Sequence, residues 1–222
     1  MKKGSHNFPH YPIFLDICGK KCVVIGGGMV ALRKVKVLLE HGGNVEVVSP
    51  TLCPELSQLA ENRSIKVLNK NYQPGVLVGA FVAIAATTEA DTNEKVAEEA
   101  RRQGVLVNVV DSPEQSDFIV PSYLRRGDIT IAISTTGKSP ALARKIRTRL
   151  EQNFGDEYAF LVKLISEVRT ELKQRGIIVS GNAWQKALDL DLLLELVRSG
   201  RREEAKTTLL NNLERLRQID IG

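Results

Sequence analysis

A strand–turn–helix pattern near the start of the chain constrains the fold more than any other feature. The apolar run CVVIG (22–26) leads into a glycine-rich turn, and residues 27–43 then carry apolar side chains at helical spacing. A second apolar run, NVEVVSP, follows at 44–50. This order predicts a βαβ unit, in which the two strands lie parallel and the helix crosses one face of the sheet.

The same alternation continues to about residue 111. Helices are predicted at 54–63 and 92–104, and strands at 64–70, 80–87 and 105–110. These strands are nearly continuous runs of Val, Ile and Ala, which is typical of strands covered by helices on both faces. We therefore predict an α/β fold with a Rossmann-like, mostly parallel, doubly wound sheet, and we assign this domain to residues 1–112.

The pattern changes after this point. Two strands at 117–126 and 129–135, joined at Gly127-Asp128, predict a β-hairpin, and Ser139-Pro140 supplies the N-cap and first residue of a following helix. We assign residues 113–153 to a separate middle segment. Residues 154–222 predict an all-helical domain with helices at 157–176, 182–200 and 202–219.

The charge of the chain indicates an anionic partner without identifying it. The formal net charge is +5 at pH 7, which suits nucleic acid, phosphate or a polycarboxylate. Aromatic side chains do not interleave with the basic residues, so a base-stacking surface for nucleic acid is not expected. The sequence has no apolar window near eighteen residues and no apolar region after its first lysines, so we expect no membrane association and a cytoplasmic location.

A metal site is not predicted. Cys18, Cys22 and Cys53 form no CxxC pair and are expected to be small core residues. His6 and His10 are four residues apart, but neighbouring prolines argue against a helix that would bring them together.

The glycine turn predicts a dinucleotide site. Gly26, Gly28 and Ala31 fit G-x-G-x-x-A, in which the first glycine permits the turn, the second admits a pyrophosphate and the small third residue lets helix and strand pack closely. Amides at the start of the helix would face the phosphates. The alternative is a turn that serves packing alone. The predicted contacts are Gly26, Gly27, Gly28, Met29 and Val30.

Two further positions are candidates for contact with the cofactor. The second strand ends at Ser49 without the acidic residue that commonly binds a ribose, although a serine hydroxyl can replace it, and no arginine stands beside it for a 2′-phosphate. NAD is therefore favoured over NADP. Thr87 ends the strand at 80–87 on the carboxyl edge of the sheet, where it is expected either to touch the cofactor or to cap a helix.

The loop STTGKSP (134–140) predicts a site for an anionic group of a substrate. It is not a Walker A motif, because Ala132 stands where that motif needs glycine. It is instead a polar loop before a helix N-terminus, a position that suits an anion. Alternatively, the basic residues around it form only a solvated face. The predicted substrate contacts are Thr135, Lys138, Ser139 and Arg125, within a basic region that also holds Arg126, Arg144, Lys145 and Arg147.

Several segments together resemble a known family. YPIFLDICGKKCVVIGGGMVALRKV, AIAATTEADTN, NVVDSPEQSDFIVPS and STTGKSPALAR occur in the order seen in precorrin-2 dehydrogenases and the related sirohydrochlorin ferrochelatases. The resemblance covers about residues 11–150. It implies NAD-dependent oxidation of precorrin-2, a tetrapyrrole, to sirohydrochlorin, and in some members insertion of ferrous iron. It also implies a homodimer in which the middle segment builds much of the interface.

The resemblance also implies residue roles. The aspartate of the NVVD stretch, Asp111, would be the acid/base residue, and Met29, Val30, Ser49 and Pro50 would contact the dinucleotide. A carboxylate at this edge of a sheet can accept the proton that leaves a reduced tetrapyrrole. The structural alternative is that Asp111 caps the Ser112-Pro113 turn through its side chain.

Two other functions remain open at this point. One is a ferrochelatase as the main activity, with a partly idle glycine motif. The other is a non-catalytic, NAD-sensing regulatory module. Such modules usually carry an acidic ribose ligand after the second strand and have no need of the segment around Asp111, so both Ser49 and Asp111 argue against this function.

Overall fold

The computed structural model describes residues 10–220, with side chains as far as residue 216. The predictions that concern residues 1–9, including His6, lie outside this range. The chain divides into two compact units, with the boundary between Val120 and Pro121. Each unit has its own hydrophobic core.

The first unit contains a parallel sheet with helices between its strands. Within residues 10–120 the strand order is β3-β2-β1-β4-β5, and every neighbouring pair is parallel. This confirms the predicted doubly wound α/β fold. The strands are β1 (Lys21–Ile25), β2 (Asn44–Val48), β3 (Lys66–Leu68), β4 (Val82–Ala85) and β5 (Leu106–Val109), and the helices are α1 (Met29–Glu40), α2 (Pro54–Glu61) and α3 (Ala90–Gln103).

Helices cover both faces of this sheet, which explains the uninterrupted apolar runs. Along β1, Cys22 and Val24 pack into a core with α1 and α2, whereas Val23 and Ile25 point to the opposite face and pack with α3. All four side chains are buried. Strands covered on both faces therefore read as nearly continuous apolar runs.

The second unit begins with the predicted hairpin. Strands β6 (Ser122–Arg126) and β7 (Ile129–Ile133) pair antiparallel, and α4 (Pro140–Asn153) follows. The hydroxyl of Ser139 accepts a hydrogen bond from the amide of Leu142 at 3.2 Å, so this serine is the N-cap. The prediction that the first strand starts at residue 117 is wrong, because Asp117 and Phe118 bond to β5 of the first unit.

The helical region contains one break that the sequence analysis missed. The helices are α5 (Glu157–Gln174), α6 (Gly181–Ala187), α7 (Leu190–Arg198) and α8 (Arg202–Asp220), whereas one helix was predicted over 182–200. The carboxylate of Asp189 accepts a hydrogen bond from the amide of Leu192 at 3.2 Å and starts a new helix. The break lets apolar residues of α5, α7 and α8 meet in one core, including Val168, Leu193 and Leu209.

Two smaller observations complete the description. Cys18 is exposed, so the expectation that all three cysteines are core residues is wrong for this one. Among the described residues, no helix is both long and apolar enough to cross a bilayer. The contacts group α4 with the later helices, and the finer division at residues 112 and 153 stays a prediction.

Candidate functional site

The glycine turn after β1 lies against two other chain segments. Gly26 has φ of +125°, and a Cβ there would lie 2.5 Å from the carbonyl oxygen of Ala86. A Cβ on Gly27 would lie 1.8 Å from the carbonyl oxygen of Thr51. Both distances are far below van der Waals contact, so close approach between backbones requires these two glycines.

Gly28 has a different environment, because a Cβ there would meet nothing within 4 Å. This residue is the N-cap of α1, no side chain caps the helix, and no acidic residue occupies its first turn. The first amides of a helix lack partners within the helix and attract anions. Open space above uncapped amides therefore fits the pyrophosphate of a dinucleotide, with Met29 and Val30 in the first turn.

Ser49 lies beneath this turn. It is 6% exposed, and its hydroxyl donates to the carbonyl of Thr51 at 2.7 Å. The same hydroxyl oxygen lies 2.6 Å from the position that a Cβ on Gly27 would take. In this structure Ser49 shapes the segment that supports the glycine turn, while Pro50 is exposed. Contact of either residue with a ribose stays a prediction.

Thr87 follows β4 on the same edge of the sheet, and its side chain is occupied locally. Its hydroxyl donates to the side-chain oxygen of Asn93 at 2.8 Å and accepts from the amide of Glu89 at 3.1 Å. The Asn93 amide group donates back to the Thr87 carbonyl at 3.0 Å. Because Ala86 and Thr87 border the Gly26 turn, Asn93 supports the wall of the site.

Asn93 was not among the predicted site residues, although the sequence contains a signal for it. Asn93 is buried, and it precedes Val96, Ala97 and Ala100 on the inward face of α3. A polar side chain on the apolar face of a helix needs a hydrogen-bond partner. A polar residue at such a position, close to a strand end, is therefore a candidate for supporting a site at that end.

Asp111 follows β5 and is exposed, with φ of +60°. Aspartate tolerates this left-handed conformation better than most residues do. Within residues 10–216, no hydrogen bond or ion pair engages its carboxylate. Within the same residues the carboxylate makes no capping bond to the Ser112-Pro113 turn, the alternative considered from the sequence.

Lys34 on α1 lies close enough to interact electrostatically with Asp111, and the sequence analysis missed it. The pKa of Lys34 is lowered from its usual value, first by burial and then by the neighbouring Arg33, while Asp111 opposes both effects. The site around Asp111 therefore combines an exposed carboxylate with a partly buried ammonium group. A lysine inside an amphipathic helix looks like a surface residue in sequence, so no pattern revealed it.

The four predicted substrate contacts all lie in the second unit. Thr135 accepts from the amide of Ser139 at 3.0 Å, Ser139 caps α4, and Arg125 donates to the carbonyl of Gly127 at 3.1 Å. Lys138 is exposed. The loop is thus held by its own hydroxyl groups, and its lysine faces solvent.

The wider basic region is less uniform than its sequence suggests. Arg126 donates to the carbonyl of Phe154 at 2.8 Å, and Arg147 pairs with Glu151. Arg144 and Lys145 are exposed on α4. Over the part of the chain that the structure describes, no group of three or more His, Cys, Asp and Glu residues is arranged to hold a metal ion.

The predicted cofactor residues and Asp111 are brought to one edge of one unit. The glycine turn, Ser49, Thr87 and Asp111 follow the carboxyl ends of β1, β2, β4 and β5, and parallel strands place those ends on the same side. Ligands of open α/β sheets bind at this edge. The arrangement can hold a dinucleotide and present a carboxylate from the same domain.

Comparison with known families agrees with this arrangement. Residues 13–122 match a family model described as "Putative NAD(P)-binding". Residues 126–153 match a second model, "Sirohaem biosynthesis protein central". The first match spans the sheet with its glycine turn and Asp111, and the second spans the hairpin turn, the polar loop and α4.

Individual relatives point to the same group. The chain is 38% identical over 207 residues to the siroheme synthase of Nitrosococcus oceani, covering 92% of this chain and 44% of that protein. It is 42% identical over 165 residues to the siroheme synthase of Chromobacterium violaceum, covering 74% of this chain and 35% of that protein. The chain therefore spans less than half the length of these curated relatives.

A solved structure provides a match over its full length. The structure of "SirC, precorrin-2 dehydrogenase" superposes with a TM-score of 0.69 and 27% sequence identity. The match covers 93% of this chain and 100% of that chain.

Proposed function

We propose that the chain belongs to the precorrin-2 dehydrogenase family of sirohaem biosynthesis and that it oxidises precorrin-2 to sirohydrochlorin with NAD as the hydride acceptor. The observation that carries the proposal is the position of Asp111. An exposed carboxylate follows β5 on the same sheet edge as a glycine turn with open space at Gly28. A hydride acceptor and a proton acceptor are what this oxidation needs.

The chemistry divides between the cofactor and the protein. Bound NAD supplies the acceptor for the hydride. Asp111 accepts the proton that leaves the tetrapyrrole, and its exposure leaves the carboxylate accessible to a large substrate. The uncapped amides of α1 would hold the pyrophosphate, and Asn93 with Thr87 supports the adjacent wall.

We assign the binding of the substrate carboxylates to exposed basic side chains. Lys138 and Arg125 are the candidates in the second unit, with Thr135 and Ser139 shaping the loop. Charge-assisted contacts with such groups are roughly twice as strong as neutral hydrogen bonds. The net charge of +5 would also favour approach of a polycarboxylate.

The proposal extends to the assembly and to a second step. We infer a homodimer that uses the face of α4, where Leu142 and Ile146 are exposed although apolar. We further infer that ferrous iron is a substrate, because Asp111 can also remove pyrrole protons during metal insertion and this step does not need a protein metal cage. A cytoplasmic location fits both steps.

One assay tests the central proposal. Precorrin-2 and NAD are mixed anaerobically with the protein, and the absorption spectrum is followed before and after ferrous ion is added. We expect sirohydrochlorin in the first stage and sirohaem in the second. If precorrin-2 persists with NAD present, the proposed dehydrogenase activity is wrong. Iron insertion without any NAD-dependent oxidation would instead favour the ferrochelatase alternative.

The first variant to test is Asp111→Ala. We expect NAD affinity to stay within about twofold and oxidation of precorrin-2 to fall by at least about 100-fold, since general base catalysis contributes about 10²–10⁴-fold. Calorimetry measures the first quantity and single-turnover spectra measure the second. Full activity in this variant would remove Asp111 from the mechanism.

A further inference from the structure

The segment that follows Asp111 runs back along the outer side of β5. Strand β5 is the last in the order β3-β2-β1-β4-β5, so one side of it has no strand neighbour within residues 10–120. The backbone amide of Asp117 donates to the carbonyl of Val107 at 2.8 Å, and the amide of Val107 donates to the Asp117 carboxylate at 3.1 Å. Residues 112–118, here named the edge hook, thus occupy an edge that would otherwise expose backbone groups.

Ser116 makes the central contacts of the edge hook. Its hydroxyl oxygen accepts from the amide of Val109 at 2.9 Å. The hydroxyl proton has two acceptors in reach, the Ser112 carbonyl at 2.9 Å and the Val109 carbonyl at 3.2 Å. The residue is 3% exposed, so these bonds do not compete with bulk water.

Through these contacts, the Ser116 hydroxyl bonds to residues on both sides of Asp111 in the sequence. Val109 lies two residues before it and Ser112 one residue after it, and both bond to the same hydroxyl group. Between them Asp111 has φ of +60°, a conformation that a non-glycine residue keeps when its surroundings impose it. Within the described residues no hydrogen bond or ion pair holds the Asp111 carboxylate, whose charged neighbour is Lys34, so the backbone conformation largely sets where the carboxylate points.

Neighbouring contacts hold the rest of the edge hook. The side-chain nitrogen of Asn108 donates to the Phe118 carbonyl at 3.0 Å, and Arg101 donates to the Gln115 carbonyl at 3.1 Å. Phe118 also packs against the core that contains α1. The edge hook is therefore held at Gln115 and Phe118, and Ser116 connects it to the residues that flank Asp111.

We propose that Ser116 is a positioning residue, which uses its buried hydroxyl to hold the backbone of Asp111 in the left-handed conformation that aims the carboxylate at the substrate. This inference rests on the proposed function of Asp111. Ser116 touches neither substrate nor cofactor in this assignment. It acts through its hydrogen bonds to the backbone of Val109 and Ser112.

The test compares Ser116→Ala with Ser116→Thr, which keeps the hydroxyl, and with Ser64→Ala on an exposed turn after α2. We expect Ser116→Ala to lower kcat for precorrin-2 oxidation by about 100-fold, the scale that a misplacement near 1 Å produces. KM and NAD affinity should stay within about twofold, because the substrate and cofactor contacts remain. The threonine variant should retain most of the activity, and Ser64→Ala all of it.

A double variant separates positioning from general destabilisation. In an Asp111→Asn background, Ser116→Ala should cause no further loss of kcat, because the group that it positions is already gone. Amide hydrogen exchange at Val109, measured without substrate, should accelerate in Ser116→Ala while amides of β1 keep their protection. Equal losses of kcat in both backgrounds would show that Ser116 acts on stability alone.

The outcomes distinguish this inference from the function on which it rests. If the unmodified protein does not oxidise precorrin-2, the proposed function fails and the positioning role fails with it. If the unmodified protein is active and Ser116→Ala keeps its kcat, only the positioning role is overturned.

Discussion

Gly27 and Gly28 are adjacent, but their missing side chains serve different purposes. A Cβ on Gly27 would overlap the carbonyl of Thr51 at 1.8 Å, whereas a Cβ on Gly28 would extend into open space. The first glycine is thus needed for packing of the chain, and the second leaves room for a ligand. This pair allows folding and cofactor binding to be separated by substitution.

The first prediction at the residue scale concerns these glycines. Gly27→Ala should destabilise the protein by about 3 kcal/mol, because backbone must move to admit the methyl group. Gly28→Asp should fold normally, since aspartate is a favourable N-cap residue, but it should lower NAD affinity at least about tenfold by filling and charging the pyrophosphate position. Thermal unfolding and calorimetry measure the two effects. Undiminished NAD affinity in Gly28→Asp would contradict the placement of the cofactor.

A second prediction concerns the ammonium group of Lys34. Burial and Arg33 lower its pKa, so the unfolded chain binds the proton more tightly than the folded chain does. The resulting cost to folding is fully present below the lowered pKa and disappears as pH rises through the unfolded value. Lys34→Met keeps the length of the side chain and removes the charge. The thermal midpoint at pH 7 should rise by about 2 °C, a small gain because solvent screens the group.

The matched control is Lys36→Met, on the exposed face of the same helix. It should leave the midpoint unchanged, because an exposed ammonium group keeps its hydration. Equal midpoints for the two variants would show that burial of Lys34 has no energetic consequence.

At the scale of elements, the loop between β3 and β4 is tied to α3 by one buried carboxylate. Glu99 is 2% exposed and accepts from the amides of Gly75 and Leu77 at 2.9 and 3.3 Å. It also accepts from the hydroxyl of Tyr72 and from the side chain of Gln103 at 2.8 Å. A buried carboxylate with several donors fixes the path of a loop that has no regular structure.

This network predicts a change of stability at alkaline pH. Burial and the hydrogen bond to Glu99 raise the pKa of Tyr72 above its ordinary value of 10.0. Its contribution is therefore complete below pH 10.0 and is lost as pH rises toward the higher folded value. Tyr72→Phe should cost about 1–3 kcal/mol at neutral pH and flatten the alkaline decline. Urea unfolding at several pH values measures both.

The control for this prediction is Tyr11→Phe, because that tyrosine is 86% exposed. Its unfolding free energy should follow that of the unmodified protein at every pH. A decline of the same steepness in Tyr72→Phe would mean that another group titrates in this range.

Strand β5 and the residues after it show where a local sequence pattern is not enough to predict the structure. Strand β5 was predicted correctly in type and place, since a buried parallel strand is a continuous apolar run. The residues after it were predicted to enter a hairpin early, because DFIV alone has the composition of a strand. In the structure these residues return to β5 through Ser116 and Asp117. Polar residues around an apolar run can thus mark the covering of an edge.

At the scale of the whole molecule, two compact units divide the predicted chemistry. The first carries the glycine turn and Asp111, and the second carries Lys138, Ser139 and the hairpin. The boundary between the two units falls inside the predicted dimerisation segment, 113–153, and the finer division into three parts stays a prediction. The sequence indicates three parts because the hairpin, the helix after it and the helical region differ in pattern.

The amino-acid sequence by itself determined the order and type of most elements and the position of the glycine turn. Periodicity and turn residues act over a few positions, so they are readable without the fold. The family resemblance was also carried by local segments, and one of them led to the prediction that Asp111 is the acid/base residue. These features can be predicted from the sequence because each depends on residues that are close together in the chain.

Only the tertiary structure decided which polar groups are engaged and which are left open. Ser49 and Thr87 are bonded within the protein, Gly28 borders open space and Gly27 does not, and Ser116 holds the residues on either side of Asp111. Gly27 and Thr51 are distant in sequence, whereas the bonds of Ser49, Thr87 and Ser116 join residues a few positions apart and depend on how each loop folds back. Hydrogen-bond distances and overlap arise from three-dimensional contact, which a linear pattern does not contain.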